Sequence, residues 1–299
     1  MTPDRATVLK PAGRVLAILL IGAFFLFPLY WLVTMSFKPQ DEWSPVGGKI
    51  FWTPGRWTLD NFTQALGIST PNTQFFSAAP VNAKSPIIHS LVTATGGTLV
   101  ALVIGVLAAY GIARFRAGGK MLPFQILQLR MFPPIVVIIP LLIMFAWLGR
   151  HTGGTFGVDT YWALILVYGA VTFPFVVWLM RSFFQEVPRE IAEAAIVDGC
   201  TQWGAFFKAI LPQVRGGLAA TALFVFILNW SDFLIALVLT DHKVVTAPVF
   251  LNSLQSAGAG QEYGPQAALG LVLIVPPAVF GLLIQRYLVR GLTFGAIKR

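Results

Sequence analysis

Residues 90–113 read SLVTATGGTLVALVIGVLAAYGIA, twenty-four positions without one charged side chain. Wound as a helix at 1.5 Å per residue, the run is about 36 Å long, enough to cross a hydrocarbon layer of ~30 Å. Gly96, Gly97 and Gly105, with Thr93, Thr95 and Thr98, are small residues of the kind that let helix backbones approach closely in lipid. Two readings fit: the run packs at the centre of a bundle, or its Gly and Thr are merely tolerated in a membrane helix.

Five more apolar runs lie around it, at 15–36, 131–149, 161–180, 217–239 and 267–289. The third could begin near Met121, which would place Arg130 inside it. Over all 299 residues, 56% are hydrophobic and 11% charged, against about 25% charged in a soluble domain. The chain therefore reads as an all-α integral membrane protein with six transmembrane helices.

The net charge of +9 does not point to nucleic acid, because the cations sit in short segments beside the apolar runs. Fourteen of the 21 Lys and Arg fall before the first run, after the second, after the fourth and at the C-terminus; six fall in the alternate segments. That bias predicts both termini on the cytoplasmic side. It divides the chain into an N-terminal segment at 1–14, a membrane domain at 15–290 and a tail at 291–299. Within the membrane domain are an external loop at 37–86 and a cytoplasmic loop at 182–214. The external loop holds Trp43, Trp52, Trp57 and the turn pairs Pro54-Gly55 and Pro71-Asn72, and is too short and irregular to be a domain. The first run leads into Phe37-Lys38-Pro39 rather than a small-residue cleavage site, so it reads as a retained signal anchor.

Several chemistries lack their residues. Cys200 is the single cysteine, and His89, His151 and His242 stand far apart with no metal-ligand spacing. There is no GxSxG and no HExxH. The nearest approach to a phosphate loop, 114–121, has Arg where GxxxxGK[ST] begins with Gly and Met where it ends in Ser or Thr. The chain reads as neither an enzyme nor an ATP-binding protein, with no cofactor or metal of its own.

The most informative polar stretch is EVPREIAEAAIVDG, 186–199. Proline suits a first helical position, acidic residues suit the first turns, and Gly199 sits where a left-handed cap would stop the helix. The expectation is a helix of about eleven residues, roughly 16 Å long. So short a helix is marginal alone in water, so a partner must pack on it. Ala192, Ala194 and Ala195 offer an exposed small face for close approach, and Glu190 and Glu193 offer charge to a basic residue across the contact. Downstream, Trp203, Phe206, Phe207 and Ile210 recur at helical spacing and suit a membrane interface.

Inside the membrane, charge is costly and defaults to function. Arg130 could face a solute pathway, snorkel to the interface or pair with Asp232. Asn229, Trp230, Ser231 and Asp232 combine acceptor, donor and aromatic face, a set that suits a hydroxyl-rich solute and equally suits helix packing against a partner membrane subunit. Pro133, Pro134, Pro140, Pro174, Pro276 and Pro277 should kink or open their helices.

The string EAAIVDGCTQWGAFFKAILP, 193–212, resembles the EAA signature of permease subunits of ATP-binding-cassette importers, with Cys200 where that family commonly has Ala. FPLYWLVTMSFKPQDE (27–42), AAYGIARFRAGGK (108–120), NWSDFLIAL (229–237) and YLVRGLTFGAIKR (287–299) are similar to its carbohydrate-uptake branch, the maltose-type members without a large external domain. The stretch at 67–86 departs from the compact members. The resemblance implies a type I ABC importer permease fold in the bacterial inner membrane. It implies four kinds of neighbour: a second permease subunit, two ATPase subunits that carry ATP and Mg, an external solute-binding protein, and lipid.

The same resemblance makes 193–199 a coupling helix, with Glu190, Glu193, Ala194, Ala195, Asp198, Gly199, Ile210 and Pro212 as the ATPase-coupling residues. It also implies that the tail at 291–299 reaches between the ATPases. The loop with Asn252, Ser253, Gln255 and Tyr263 would meet the binding protein. The solute would be a sugar, polyol or related small molecule. A stand-alone secondary transporter or channel is the competing reading, weakened by the absence of an internal repeat and by having only Arg130 and Asp232 as membrane ionisable groups.

Overall fold

The computed structural model describes residues 11–43, 52–68, 82–256, 260–261 and 263–295. In chain order the helices are α1 (Pro11–Ser36), α2 (Asp60–Ala65), α3 (Lys84–Phe115), α4 (Leu122–Gln128), α5 (Pro134–His151), α6 (Tyr161–Glu186) and α7 (Arg189–Val197). Then come α8 (Gln202–Ala205), a π-helical turn at Phe206–Ile210, α9 (Leu211–Gln213), α10 (Arg215–Trp230), α11 (Leu234–Leu239), α12 (Ala247–Ser253) and α13 (Tyr263–Gly295). One two-residue hairpin pairs Gln255 with Gln261.

Among the described residues, four helices are long and apolar enough to cross a membrane, and up to six spans result if each of two bent pairs counts as one. The third apolar run, expected at 131–149, is largely one helix, α5, but it does not continue smoothly back to Met121. The segment Leu122–Met131 meets Ile135–His151 at 90°, because Phe132 precedes a Pro-Pro pair and is extended at φ −66°, ψ 126°. Arg130 therefore lies in a separate short turn before the break, not inside a continuous span. The fifth run, expected as one helix at 217–239, stops at Trp230 and restarts at Leu234. There the Asp232 carboxylate accepts the Ala236 N–H at 3.1 Å, taking a donor at the start of the new helix.

The chain divides into two compact units, 1–83 with 253–272 and 84–252 with 273–299. In the first, α1 leaves most of its apolar length, Phe24 and Phe25 included, uncovered, as a lipid-facing helix requires. Its end is tied by one side chain: Asn61 Nδ2 donates to the carbonyl of Ser36, the last helical residue (2.9 Å), and to that of Lys38 just beyond it (2.7 Å). The Trp43 indole donates to the Lys38 carbonyl at 3.0 Å and packs with Met35 and Ala267. Gly264 lies against Trp43 and Asn61 with no room for a Cβ. The insertion-like stretch at 67–86 falls largely outside the described residues.

The second unit is built on α3 and α6. Thr93, Gly97, Ala101, Gly105 and Ala109, each four apart, form one buried stripe down α3. A Cβ on Gly97 would reach within 2.5 Å of the Tyr168 Cβ, one on Gly105 within 2.6 Å of Val176, and one on Gly169 within 2.6 Å of Val100. Side chains from each helix thus fill the places where the other has none, and dispersion contacts hold the pair where lipid offers no hydrophobic drive. Helix α10 packs on both, and its buried Asn229 donates to Thr98 Oγ1 at 3.2 Å.

Candidate functional site

At the end of α6 the chain turns at Val187-Pro188 into α7. The helix has nine residues rather than about eleven: Pro188 is extended at ψ 144° and stands before the first turn, and Asp198 already leaves the helix at ψ 7°. Gly199 follows at φ +87°, the left-handed conformation that ends a helix cheaply only for glycine, and its N–H bonds the Ile196 carbonyl at 3.0 Å.

Below α7 lies an apolar plug of Tyr110, Met180, Phe184, Val187, Phe206, Ile210 and Val214. Ile191 and Ala192 press on it from α7, so Ala192 belongs to the inner face and not to the exposed small face expected from sequence. Ala195 is half-buried, while Glu190, Glu193, Ala194, Asp198 and Gly199 face out. Two apolar residues join them, Ile196 at 40% and Val197 at 86% exposure. Ile210 is fully buried and Pro212 is exposed. Ile210 therefore supports α7 from beneath. The π turn breaks the four-residue register of the next segment: Phe206 and Ile210 go inward, and Trp203 and Phe207 stack on each other at the surface. Arg114, from the end of α3, donates from Nη2 to the Val187 carbonyl at 2.8 Å and ties the corner between α6 and α7.

A second feature is a cavity of about 370 Å³ walled by α5, α6 and α11, with Arg130 at one side. Its lining is otherwise apolar, including Ile138, Phe145, Val167, Pro174 and Ile235. The Arg130 guanidinium sits over the Phe175 ring, 5.1 Å from its centroid, and makes no ion pair with Asp232 among the described residues. The polar cluster of the fifth run does not line this cavity. Trp230 Nε1 donates to the Leu273 carbonyl at 3.1 Å, Asp232 accepts the Tyr168 hydroxyl at 3.1 Å, and Ser231 is exposed. With Asn229 on Thr98, three of these four side chains join helices within this chain.

Sequence reading missed a third feature, at the opposite end of α6. Asp159 has φ +60° and its carboxylate accepts four consecutive backbone N–H groups, from Asp241 (3.1 Å), His242 (3.1 Å), Lys243 (2.8 Å) and Val244 (3.0 Å). Its own N–H donates to the Leu239 carbonyl at 2.8 Å. Partial burial pushes this carboxyl pKa up, but the four N–H donors outweigh it and hold the value below the ordinary one. Two further bonds pin the same loop: His89 Nδ1 lies 3.0 Å from the Val245 carbonyl, and Ser90 Oγ accepts the Ala247 N–H at 2.8 Å. Beyond it, Asn252 and Ser253 are exposed at the end of α12, Gln255 opens the small hairpin, and Tyr263 packs beside Met35, Trp43 and Ala267.

A family model described as "Binding-protein-dependent transport system inner membrane component" matches residues 101–294, which include the α3–α6 stripe from Ala101 onward and all of α7. The chain belongs to that family. It is an inner-membrane permease subunit of a binding-protein-dependent ABC importer, a non-enzymatic component whose ATP hydrolysis falls to a separate ATPase. Among its relatives is the trehalose transport system permease protein SugB of Mycobacterium tuberculosis, 36% identical over 93% of this chain and 94% of that one. The trehalose/maltose transport system permease protein MalG of Thermococcus litoralis is 32% identical over 98% and 99%. A chain from the crystal structure of a bacterial ABC transporter that imports the acidic polysaccharide alginate aligns with a TM-score of 0.71 over 96% of this permease and 99% of its own length, at 20% identity, a likeness of fold.

Proposed function

We propose that this permease is one of two membrane subunits of an ATP-driven importer for a sugar or closely related polyol. In this reading the chain crosses the membrane six times with both termini cytoplasmic, and α7 seats in a cytoplasmic ATPase that carries ATP and Mg. The loops at the Asp159 end face an external binding protein, and Asn252, Ser253, Gln255 and Tyr263 belong to a segment that contacts it. The sugar class rests on the relatives named for trehalose and maltose. The cavity beside Arg130 offers one guanidinium and otherwise apolar walls, so hydroxyl recognition falls mainly to the partner permease and the binding protein. Asn229, Trp230, Ser231 and Asp232 keep a second role as the hinge of the broken fifth span.

One observation carries the coupling assignment. The helix α7 is anchored by Ile191 and Ala192 yet presents Val197, almost bare, beside Glu193 and Ala194. An exposed apolar tip flanked by carboxylates is a docking face, because leaving it in water gains nothing for this chain. In a Cys200→Ser background, Val197→Cys is expected to crosslink to an ATPase subunit of the assembled complex, with ATP changing the yield. No crosslink at Val197 or at Ala194→Cys in an intact complex would remove the assignment.

A further inference from the structure

We propose that Asp159 is a positioning residue for engagement of the external binding protein, through the turn at Asp241–Val244 whose four N–H groups it gathers; this rests on the orientation given under the proposed function. A run of N–H groups aimed at one point forms an anion-holding concavity, normally filled by a ligand. Here the anion is a side chain from a loop 82 to 85 residues earlier in the chain. With all four donors turned inward, the side chains of Asp241, His242 and Lys243 are turned out and exposed, and Val244 is buried as the anchor. The result is a charged turn fixed in shape before any partner arrives. Its placement follows from α6: Asp159 stands just before Tyr161, at the far end of that helix from α7.

Two bonds extend the effect. His89 and Ser90, both on α3, hold Val245 and Ala247, so the turn is tied at its front to the α5–α6 loop and at its back to α3. The helix α12, which leads to Asn252, starts from this fixed point. Without Asp159 the four N–H groups would turn to water and the loop would have to be ordered during docking. A pre-ordered loop removes that cost.

The test uses the assembled importer in nanodiscs, with its binding protein titrated and ATP hydrolysis measured. Asp159→Asn is expected to raise the half-saturating binding-protein concentration about fivefold, the cost of ordering a loop on binding, with the maximal rate retained. The same variant should speed amide exchange at 241–244. Faster exchange with an unchanged half-saturating concentration would overturn the proposal, because the latch would then be structural only. Lys243→Glu keeps all four N–H bonds and alters only the presented surface. It should also raise the half-saturating concentration, and no change in it would overturn the proposal even if Asp159→Asn fails to assemble. If the wild-type complex were not stimulated by its binding protein, the reading of these loops as its docking face would fail, a result distinct from a stimulated wild type with unaffected variants.

Discussion

The two ends of α6 are fastened by different physics. At its start, a single carboxylate takes four directional N–H bonds, so the neighbouring turn has one geometry and loses everything if it shifts by an ångström. At its end, α7 rests on an apolar plug of Tyr110, Phe184, Phe206 and Ile210, with one bond from Arg114 to the Val187 carbonyl as the directional element. Apolar contact is non-directional and tolerates small rotations at little cost. The latched end suits recognition of a partner in one register. The packed end suits a lever that must tilt while staying attached.

The comparison breaks most severely at the plug. Phe206→Ala removes a fully buried ring that touches Tyr110 at a centroid distance of 4.6 Å. The expected cost is about 3–5 kcal/mol, seen as loss of ATPase retention on pull-down. Arg114→Gln should be milder, about 1.5–3 kcal/mol for a charge-assisted bond, with α7 looser in hydrogen exchange but still docked. Gly199→Val forces a Cβ into φ +87° and should cost about 1–2 kcal/mol. Its signature is uncoupling, with hydrolysis persisting while uptake falls, because the helix end moves but the plug stays intact.

These residues were not equally legible in the sequence. The 186–199 stretch announced its helix and its stop glycine through local composition, the family showed only as the resemblance carried by 193–212, and the apolar runs announced the fold class. The break before the third run was signalled by Pro133-Pro134, whereas the break in the fifth run was hidden. Hydropathy sums side chains, and the fifth run breaks where the Asp232 side chain takes a backbone N–H. Ala192 pointed inward because the plug, assembled from α3, α6 and the π turn, decides which face of α7 is buried. Asp159 gave no signal at all: its partners are backbone groups of another loop, and backbone donors have no residue letter.

The smallest effect is the most diagnostic of how the latched end differs. Because the folded-state pKa of Asp159 lies below the ordinary 3.8, its contribution is fully present above that value and is lost as pH falls through the folded pKa. The latch is partly solvated, so the contribution is modest, no more than about 1 kcal/mol. The difference in thermal midpoint between wild type and Asp159→Asn should therefore stay constant from about pH 8 to about pH 5 and shrink only below about 3.8. Other carboxylates titrate in both proteins and cancel in that difference. A gap already closing near pH 6 would mean that burial outweighs the four N–H donors and that the carboxylate is held too weakly to set the turn. At the packed end the ring removed by Phe206→Ala touches Tyr110 and Phe184 rather than a carboxylate, so the difference between wild type and this variant should stay flat over the same range.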